Sequence, residues 1–322
     1  MNLQAFSRRL ITVALAVAAS AVQPAHAGPF SAVFILGDSV SDSGNVALAI
    51  GQPAGVPQTV SGNTYVPDYP YFPSGRFSNG SVWAELYAAK LGASAVPSLM
   101  GGTDFAWAGA RTGGADVPVP TLTTQAGQLL AAVHGVAPSD ALYVVAEVGN
   151  DARDALATIA SGADINQTIR TASANYAANL GNIVDTLRRA GARHFLVFGN
   201  VNLGLVPAVR AQGSAASALA TTLTRSMNQA LFDRLDDVAG VRIFDTFSVL
   251  TRVVRHPADY GFANATVACG AVPGADCSKY VFWDGLHPTA QLHEVIATLA
   301  CRRQPGRRPD ACGGPAGLLT DD

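Results

Sequence analysis

Charge is scarce in this 322-residue chain, and so is cysteine. Charged residues make up 14% of it, 21 basic against 23 acidic. The basic ones form no patch except RRQPGRR at Arg302–Arg308, where a solvated tail is expected. Nucleic acid needs clustered cations along its phosphates, so it is not an expected partner. Only four cysteines occur, Cys269, Cys277, Cys301 and Cys312. No two of them stand at the two-to-four-residue spacing of a zinc knuckle, so no metal centre is expected. Beyond the N-terminal stretch no apolar run approaches the roughly 20 residues that cross a bilayer. Internal repeats and linker-like segments are also missing.

What is present begins with a targeting signal. Arg8 and Arg9 precede an apolar stretch, Leu10–Val22, and the small-x-small run Ala25–Ala27 stands before Gly28. This is the layout of a secretory signal peptide over residues 1–27. Its removal takes Arg8 and Arg9 away, shifting the formal net charge from −2 to −4, and leaves residues 28–322 as one expected domain. The expected destination is periplasmic or secreted, with no membrane span left after cleavage and a monomer as the expected state. In an exported chain an even cysteine count suggests disulfides. Three pairings can be drawn; the neighbour pairing, Cys269–Cys277 with Cys301–Cys312, is the expectation.

Short, continuously apolar runs recur along the chain: Phe30–Leu36, Ala141–Val148, His194–Asn200 and Val241–Asp245, with Thr103–Gly109 as a weaker fifth. Runs without alternation fit parallel strands covered on both faces. Between them lie stretches with helical spacing, notably Ser81–Leu91, Asn175–Gly191 and Ser217–Leu235. Strands alternating with helices predict an α/β sandwich. Residues 51–80, rich in Gly, Pro and Tyr, read as a long loop. Tyr65, Tyr69, Tyr71, Phe72 and Val117 are expected to give the loops over 51–80 and 110–120 an apolar wall along a pocket.

In open parallel sheets ligands bind beyond the C-terminal strand ends. Polar clusters stand there. After the first strand run comes GDSVSDSGN, Gly37–Asn45, with five small polar residues where a turn needs one or two. A reactive serine at a strand-to-helix turn explains this better than a cap. Ser39 then requires a base and an orienting carboxylate. Of the histidines, His134 falls near a helix end, His194 opens a strand, His256 has no carboxylate just before it, and His293 is expected exposed on the last helix. His287 stands apart in FWDGLHPT, with Asp284 three residues earlier and Gly285 to bend the chain. Oxyanion donors are available as the N–H of Ser39 at a helix start, the N–H of Gly109 in WAGA, and the side-chain amide of Asn150 in VGND. Singly, Asn150 also reads as a helix cap and Gly109 as a turn.

Taken together, GDSVSDSGN, DFAWAGA, VGND and DGLHPT resemble the conserved blocks of the GDSL, or SGNH, hydrolases, secreted or periplasmic esterases, lipases and acyltransferases. GRFSNG at Gly75–Gly80 is similar to a bacterial branch that includes autotransporter esterases and phospholipid–cholesterol acyltransferases. Ala108 stands where many members have glycine. The resemblance covers nearly all of residues 30–300. It implies a three-layer α/β/α sandwich on a parallel, flavodoxin-like five-stranded sheet. It implies Ser39 as nucleophile, His287 as base, Asp284 as its orienter, and Ser39, Gly109 and Asn150 as the oxyanion hole, with no cofactor. The G-x-S-x-G elbow of ordinary α/β-hydrolases is absent around Ser39. The expected function is a secreted serine esterase acting on small-molecule or lipid esters, short or medium acyl chains best. A lipid acyltransferase or phospholipase, a polysaccharide acetylesterase and an inactive surface-binding module are the alternatives.

Overall fold

Val33–Gly37 has no polar side chain to offer water on either face, and all five residues are buried as the first strand, β1, of a computed structural model. The structure describes residues 28–51, 60–64, 66–71, 73–114, 119–304 and 312–313. The segment read as a signal peptide, and Tyr65, Phe72 and Val117, lie outside the described residues. After β1 come α1 (Asn45–Ala49), α2 (Trp83–Lys90), α3 (Leu122–Ala132), β2 (Leu142–Ala146), α4 (Asn150–Ala160), α5 (Ile165–Arg189) and β3 (His194–Phe198). The chain continues through α6 (Pro207–Arg210), α7 (Ser214–Leu235), β4 (Val241–Phe244), α8 (Thr246–Arg255), β5 (Asn264–Ala268), β6 (Tyr280–Phe282) and α9 (Ala290–Arg302).

β1 to β4 form one parallel sheet in the order β1-β2-β3-β4. Helices α2 and α9 pack against each other, and α5 packs against both α3 and α7, which gives helical layers over the sheet. The chain has the expected α/β sandwich, but the sheet has four strands among the described residues, not five. The expected fifth, 103–109, runs beside the free edge of β1. There Ile35 N–H donates to Thr103 O at 3.0 Å, Phe105 N–H to Ile35 O at 2.8 Å and Trp107 N–H to Gly37 O at 3.1 Å. It stops short of a strand because side chains take its other backbone groups. Asn45 Nδ2 donates to the carbonyls of Asp104 and Ala106 at 2.8 and 3.0 Å, and Ala106 N–H turns back to Asp104 Oδ1 at 2.9 Å.

Two features lie outside the sequence expectation. β5 and β6 make a separate parallel pair. α5 begins ten residues before its apolar stripe, because Asp164 caps it by accepting the Gln167 N–H at 2.7 Å. Both expected disulfides are formed, Cys269–Cys277 and Cys301–Cys312. No helix among the described residues is long and apolar enough to cross a membrane.

Candidate active site

The crowding of polar residues after β1 has a structural cause. The chain leaves the sheet at Gly37 in a turn so tight that a Cβ there would lie 2.7 Å from the Ser41 side chain. Such a turn strands backbone N–H groups in the protein interior, where each needs an acceptor. Asp38 receives Val40 N–H on one oxygen and Val148 N–H, from just past β2, on the other, both at 2.9 Å. Asp42 accepts from Gly44, Asn45, Val46 and Ala108. Asp38, Asp42 and Asn45 are thus braces. Ser39 is left with its side chain free to react, only 7% exposed. Its N–H was expected at a helix start. It sits instead in the turn, with α1 beginning six residues later, because Ser41 and Asp42 N–H both close onto Asp38 O.

The acid and the histidine share one loop between β6 and α9. Phe282 and Pro288 pair across its base, and Trp283 N–H donates to His287 O at 2.9 Å. Asp284, fully buried, accepts the N–H groups of Leu286 and His287 on Oδ1, both at 2.7 Å. Its Oδ2 lies 2.8 Å from His287 Nδ1, and His287 Nε2 lies 2.9 Å from Ser39 Oγ. Burial alone would raise the Asp284 pKa. The imidazole and the hydrogen bonds from His287 and Leu286 outweigh it and hold the carboxyl below its usual range. The arrangement can carry a proton from Ser39 to an imidazole oriented by a carboxylate.

Sequence reasoning missed the supports of this loop. Tyr71 Oη donates to Asp284 Oδ2 at 2.8 Å. The GRFSNG stretch cradles the histidine: Phe77 lies against its ring, Ser78 Oγ donates to Pro288 O at 2.9 Å, and Asn79 Oδ1 receives the Ala290 N–H at the start of α9. His293, expected exposed, is wholly buried: its Nδ1 accepts the Trp83 N–H at 3.0 Å, and burial, then the nearby His287, push its pKa down to about 3. It sits on the face of α9 that packs against α2.

Ser39 and Asn150 line one cleft, and Asn150 bonds to the carbonyl of Ala110, next to Gly109. Neither the Ser39 nor the Gly109 N–H has an acceptor among the described residues, and Gly109 sits at φ +81°, a left-handed conformation glycine tolerates. Asn150 is the first residue of α4 but caps nothing; its Nδ2 donates one hydrogen to Ala110 O at 2.9 Å, leaving the other unused. The cap is Glu147, which accepts the N–H groups of Gly149, Asn150 and Asp151 on Oε1. Its sequence signal is an acid three residues before Asn150, within AEVGND. Burial, with Asp151 and Asp38 close by, pushes its pKa well up, and burial likewise raises Asp38 to about 6.

Residues 33–300 match the sequence profile of the GDSL-like Lipase/Acylhydrolase family. The chain belongs to this family. It is 27% identical to the Arabidopsis thaliana GDSL esterase/lipase At1g73610 over 92% of this chain and 96% of that protein. It is also 27% identical to the GDSL esterase/lipase EXL6 of the same plant, over 83% and 89% of the two chains. Among solved structures, the lipase Lip_vut3 from a goat rumen metagenome matches with a TM-score of 0.48 and 14% identity, covering 86% of this chain and 98% of that one. As a GDSL esterase/lipase homologue the chain is a carboxylic ester hydrolase.

In this GDSL hydrolase a narrow cleft runs from Ser39 and Asn150 into the protein. Trp83, Phe198, Leu203, Leu250, Phe282 and Leu292 are among its walls, and its interior volume is about 60 Å³. It corrects the expected pocket wall. Tyr71 is buried beneath Asp284, Tyr69 is 55% exposed, and neither lines the cleft. The walls come from the ends of β3 and β6, from α2, α8 and α9, and from the turns that follow β1, β2 and β3.

Proposed function

We propose that this chain is an exported serine esterase that hydrolyses carboxylic esters through an acyl-enzyme on Ser39. The reading rests on one observation above the others: Ser39 Oγ, both ring nitrogens of His287 and Asp284 Oδ2 lie in one hydrogen-bonded line with steps of 2.9 and 2.8 Å. Ser39 Oγ attacks the ester carbonyl while His287 Nε2 takes its proton. The carbonyl oxygen becomes an oxyanion and is received by Ser39 N–H, Gly109 N–H and the unused Asn150 Nδ2 hydrogen. Collapse expels the alcohol, which takes the proton from His287. Water then attacks the acyl group with His287 again as base, releasing the acid and restoring Ser39. Asp284 keeps Nδ1 protonated throughout and stabilises the imidazolium.

The acyl part enters the apolar cleft, since the alcohol must leave on the open side. The two disulfides and residues 1–27 support export to an oxidising compartment. A fluorophosphonate should label the purified protein at Ser39, located by peptide mapping, and Ser39→Ala should abolish labelling and turnover. A label on another serine, or undiminished turnover by the variant, would remove Ser39 from the role.

A further inference from the structure

Helix α4 carries the Asn150 amide on its first residue, and its N-cap, Gly149, has no side-chain oxygen to offer. The backbone N–H groups left over at that end go instead to one oxygen of Glu147. Its Oε1 accepts from Gly149 and Asp151, each at 3.1 Å, and from Asn150. Glu147 is wholly buried just past β2, and the Tyr176 hydroxyl of α5 donates to its backbone carbonyl at 2.8 Å. Where Glu147 holds the helix start therefore decides where the Asn150 side chain begins.

Three acids crowd this end of the sheet: Asp38, Glu147 and Asp151. Asp38 accepts Val40 N–H on one oxygen and Val148 N–H on the other, and Asp151 accepts the N–H and the hydroxyl of Thr112 on its two oxygens. Glu147 differs. All three of its donors reach Oε1, and among the described residues none reaches Oε2, which is buried. No cation among the described residues forms an ion pair with any of the three acids. Of the positive groups whose charge bears on them, Arg111 is taken by Asp154, His287 by Asp284, and Arg153 is exposed to solvent. Tyr176 is a further titratable group facing Glu147. Three unpaired negative charges together in the interior are costly. A proton on Glu147 Oε2 removes one of them, at the one oxygen of the cluster left free to carry it. We propose that Glu147 is a positioning residue for the oxyanion hole and that it works as a neutral acid, with its proton on Oε2 while Oε1 holds the start of α4 under Asn150. Burial and the charges of Asp151 and Asp38, which push its pKa well up, act in the same direction. Neutrality bears on the reaction itself, because an ionised Glu147 would oppose the negative charge that develops at the Asn150 amide in the transition state. The inference rests on the esterase reading above for its kinetic test.

The test follows p-nitrophenyl butyrate hydrolysis by Glu147→Ala and Glu147→Gln, each alone and combined with Asn150→Ala. Glu147→Ala releases the start of α4 and should lower kcat roughly 10²-fold, the cost of misplacing a reacting group by about 1 Å, with KM little changed. Glu147→Gln keeps an oxygen for the three N–H groups and carries no charge, so it should restore most of that loss. In the Asn150→Ala background Glu147→Ala should cost little more, because the amide it positions is gone. Infrared spectra at neutral pH should show a protonated-carboxyl band in the wild type that Glu147→Gln lacks. Absence of that band overturns the neutral acid, as does a glutamine variant no more active than the alanine one. Losses that multiply in the double variant overturn the positioning role, as does a Glu147→Ala protein that keeps its kcat. If Glu147→Ala fails to fold, Glu147→Asp, whose reach is one methylene shorter, takes its place in the same cycle with the same readings. No turnover by the wild type would sink the esterase reading, and the infrared band would still decide where the proton is.

Discussion

At the scale of single residues, Asp284 carries more bonds than its charge alone requires. Its Oδ2 is shared between His287 Nδ1 and the Tyr71 hydroxyl, both at 2.8 Å. The imidazole and the N–H groups of His287 and Leu286 overcome burial and hold the pKa of this fully buried acid down, and the Tyr71 hydroxyl is one more donor that favours the ionised form. A carboxyl depressed by folding stabilises the fold above its unfolded pKa, and that contribution disappears as pH falls through the folded value. Tyr71→Phe removes one donor and raises the folded pKa, so acid unfolding should begin at a higher pH than in the wild type. Stability at neutral pH should fall by about 1.5–3 kcal/mol, the range for a hydrogen bond to a charged group. Chemical denaturation at a series of pH values checks both, and an unmoved acid-unfolding midpoint would show the phenol to be packing alone. Asn150 poses the opposite case. Its side chain caps no helix, since Glu147 does that work, so its amide is free for a charge that exists only in the transition state. Asn150→Ala should lower kcat by roughly 10²–10³ with little change in KM. A variant that lost stability yet kept kcat would return Asn150 to a structural role.

At the scale of elements, the catalytic loop is held from both ends. β6 enters it from the loop closed by the Cys269–Cys277 bridge, and α9 leaves it under the grip of Ser78 and Asn79. Cys269 and Cys277 are eight residues apart, so the closed loop is small. In the chain-entropy account such a bridge contributes about 2–3 kcal/mol. Replacing both cysteines by serine should cost about that much in a denaturation midpoint, and should cost proportionally more in kcat, because His287 tolerates little displacement. Equal melting curves with equal kcat would show the bridge to be inert. The same elements show where the sequence was legible. Ser39, Asp284 and His287 could be read because each lies in a short motif at a strand end, with its partner types at set spacings. β1, β2 and β3 could be read because burial on both faces leaves unbroken apolar runs. Tyr71 could not be read: its bond spans 213 positions and it sits in a loop with no period. β5 escaped because Asn264–Ala268 pairs only with another short strand and carries no apolar run. The start of α5 did leave a signal, Asp164 with Gln167 three residues on, in an otherwise polar stretch. His293 misled because it stands on a helix that was expected to turn its polar side chains to water, whereas α2 packs over it and Trp83 needs its ring nitrogen.

At the scale of the whole molecule, the order of strands decides what the ester can be. β3 and β4 lie on one side of β1 and β2, and the space beyond their ends is roofed by α8 and α9. That puts Phe198, Leu250 and Leu292 along the cleft, which no described residue of 51–80 lines. The interior of the cleft has a volume of about 60 Å³. A water-sized group needs roughly 10–15 Å³ of such space, so the cleft holds about four to six methylene-sized groups. Within that length each further buried CH₂ adds about 0.8 kcal/mol, close to fourfold in kcat/KM. Past it, a longer chain must displace packed side chains or bend out into water, and the gain ends. The expected profile over p-nitrophenyl esters from C2 to C16 therefore rises steeply from C2, peaks at about C4 to C8, and falls by C12. Ile296, half-buried on α9 at the margin of the cleft, is the wall that can be moved with least harm to the core. Ile296→Ala should shift the peak outward by about two carbons while lowering the C2 rate little. A wild-type profile that climbs steadily to C16 would mean that the cleft opens far beyond its resting volume, and the acyl chain would then be chosen by motion of α8 and α9 instead of by the space they leave.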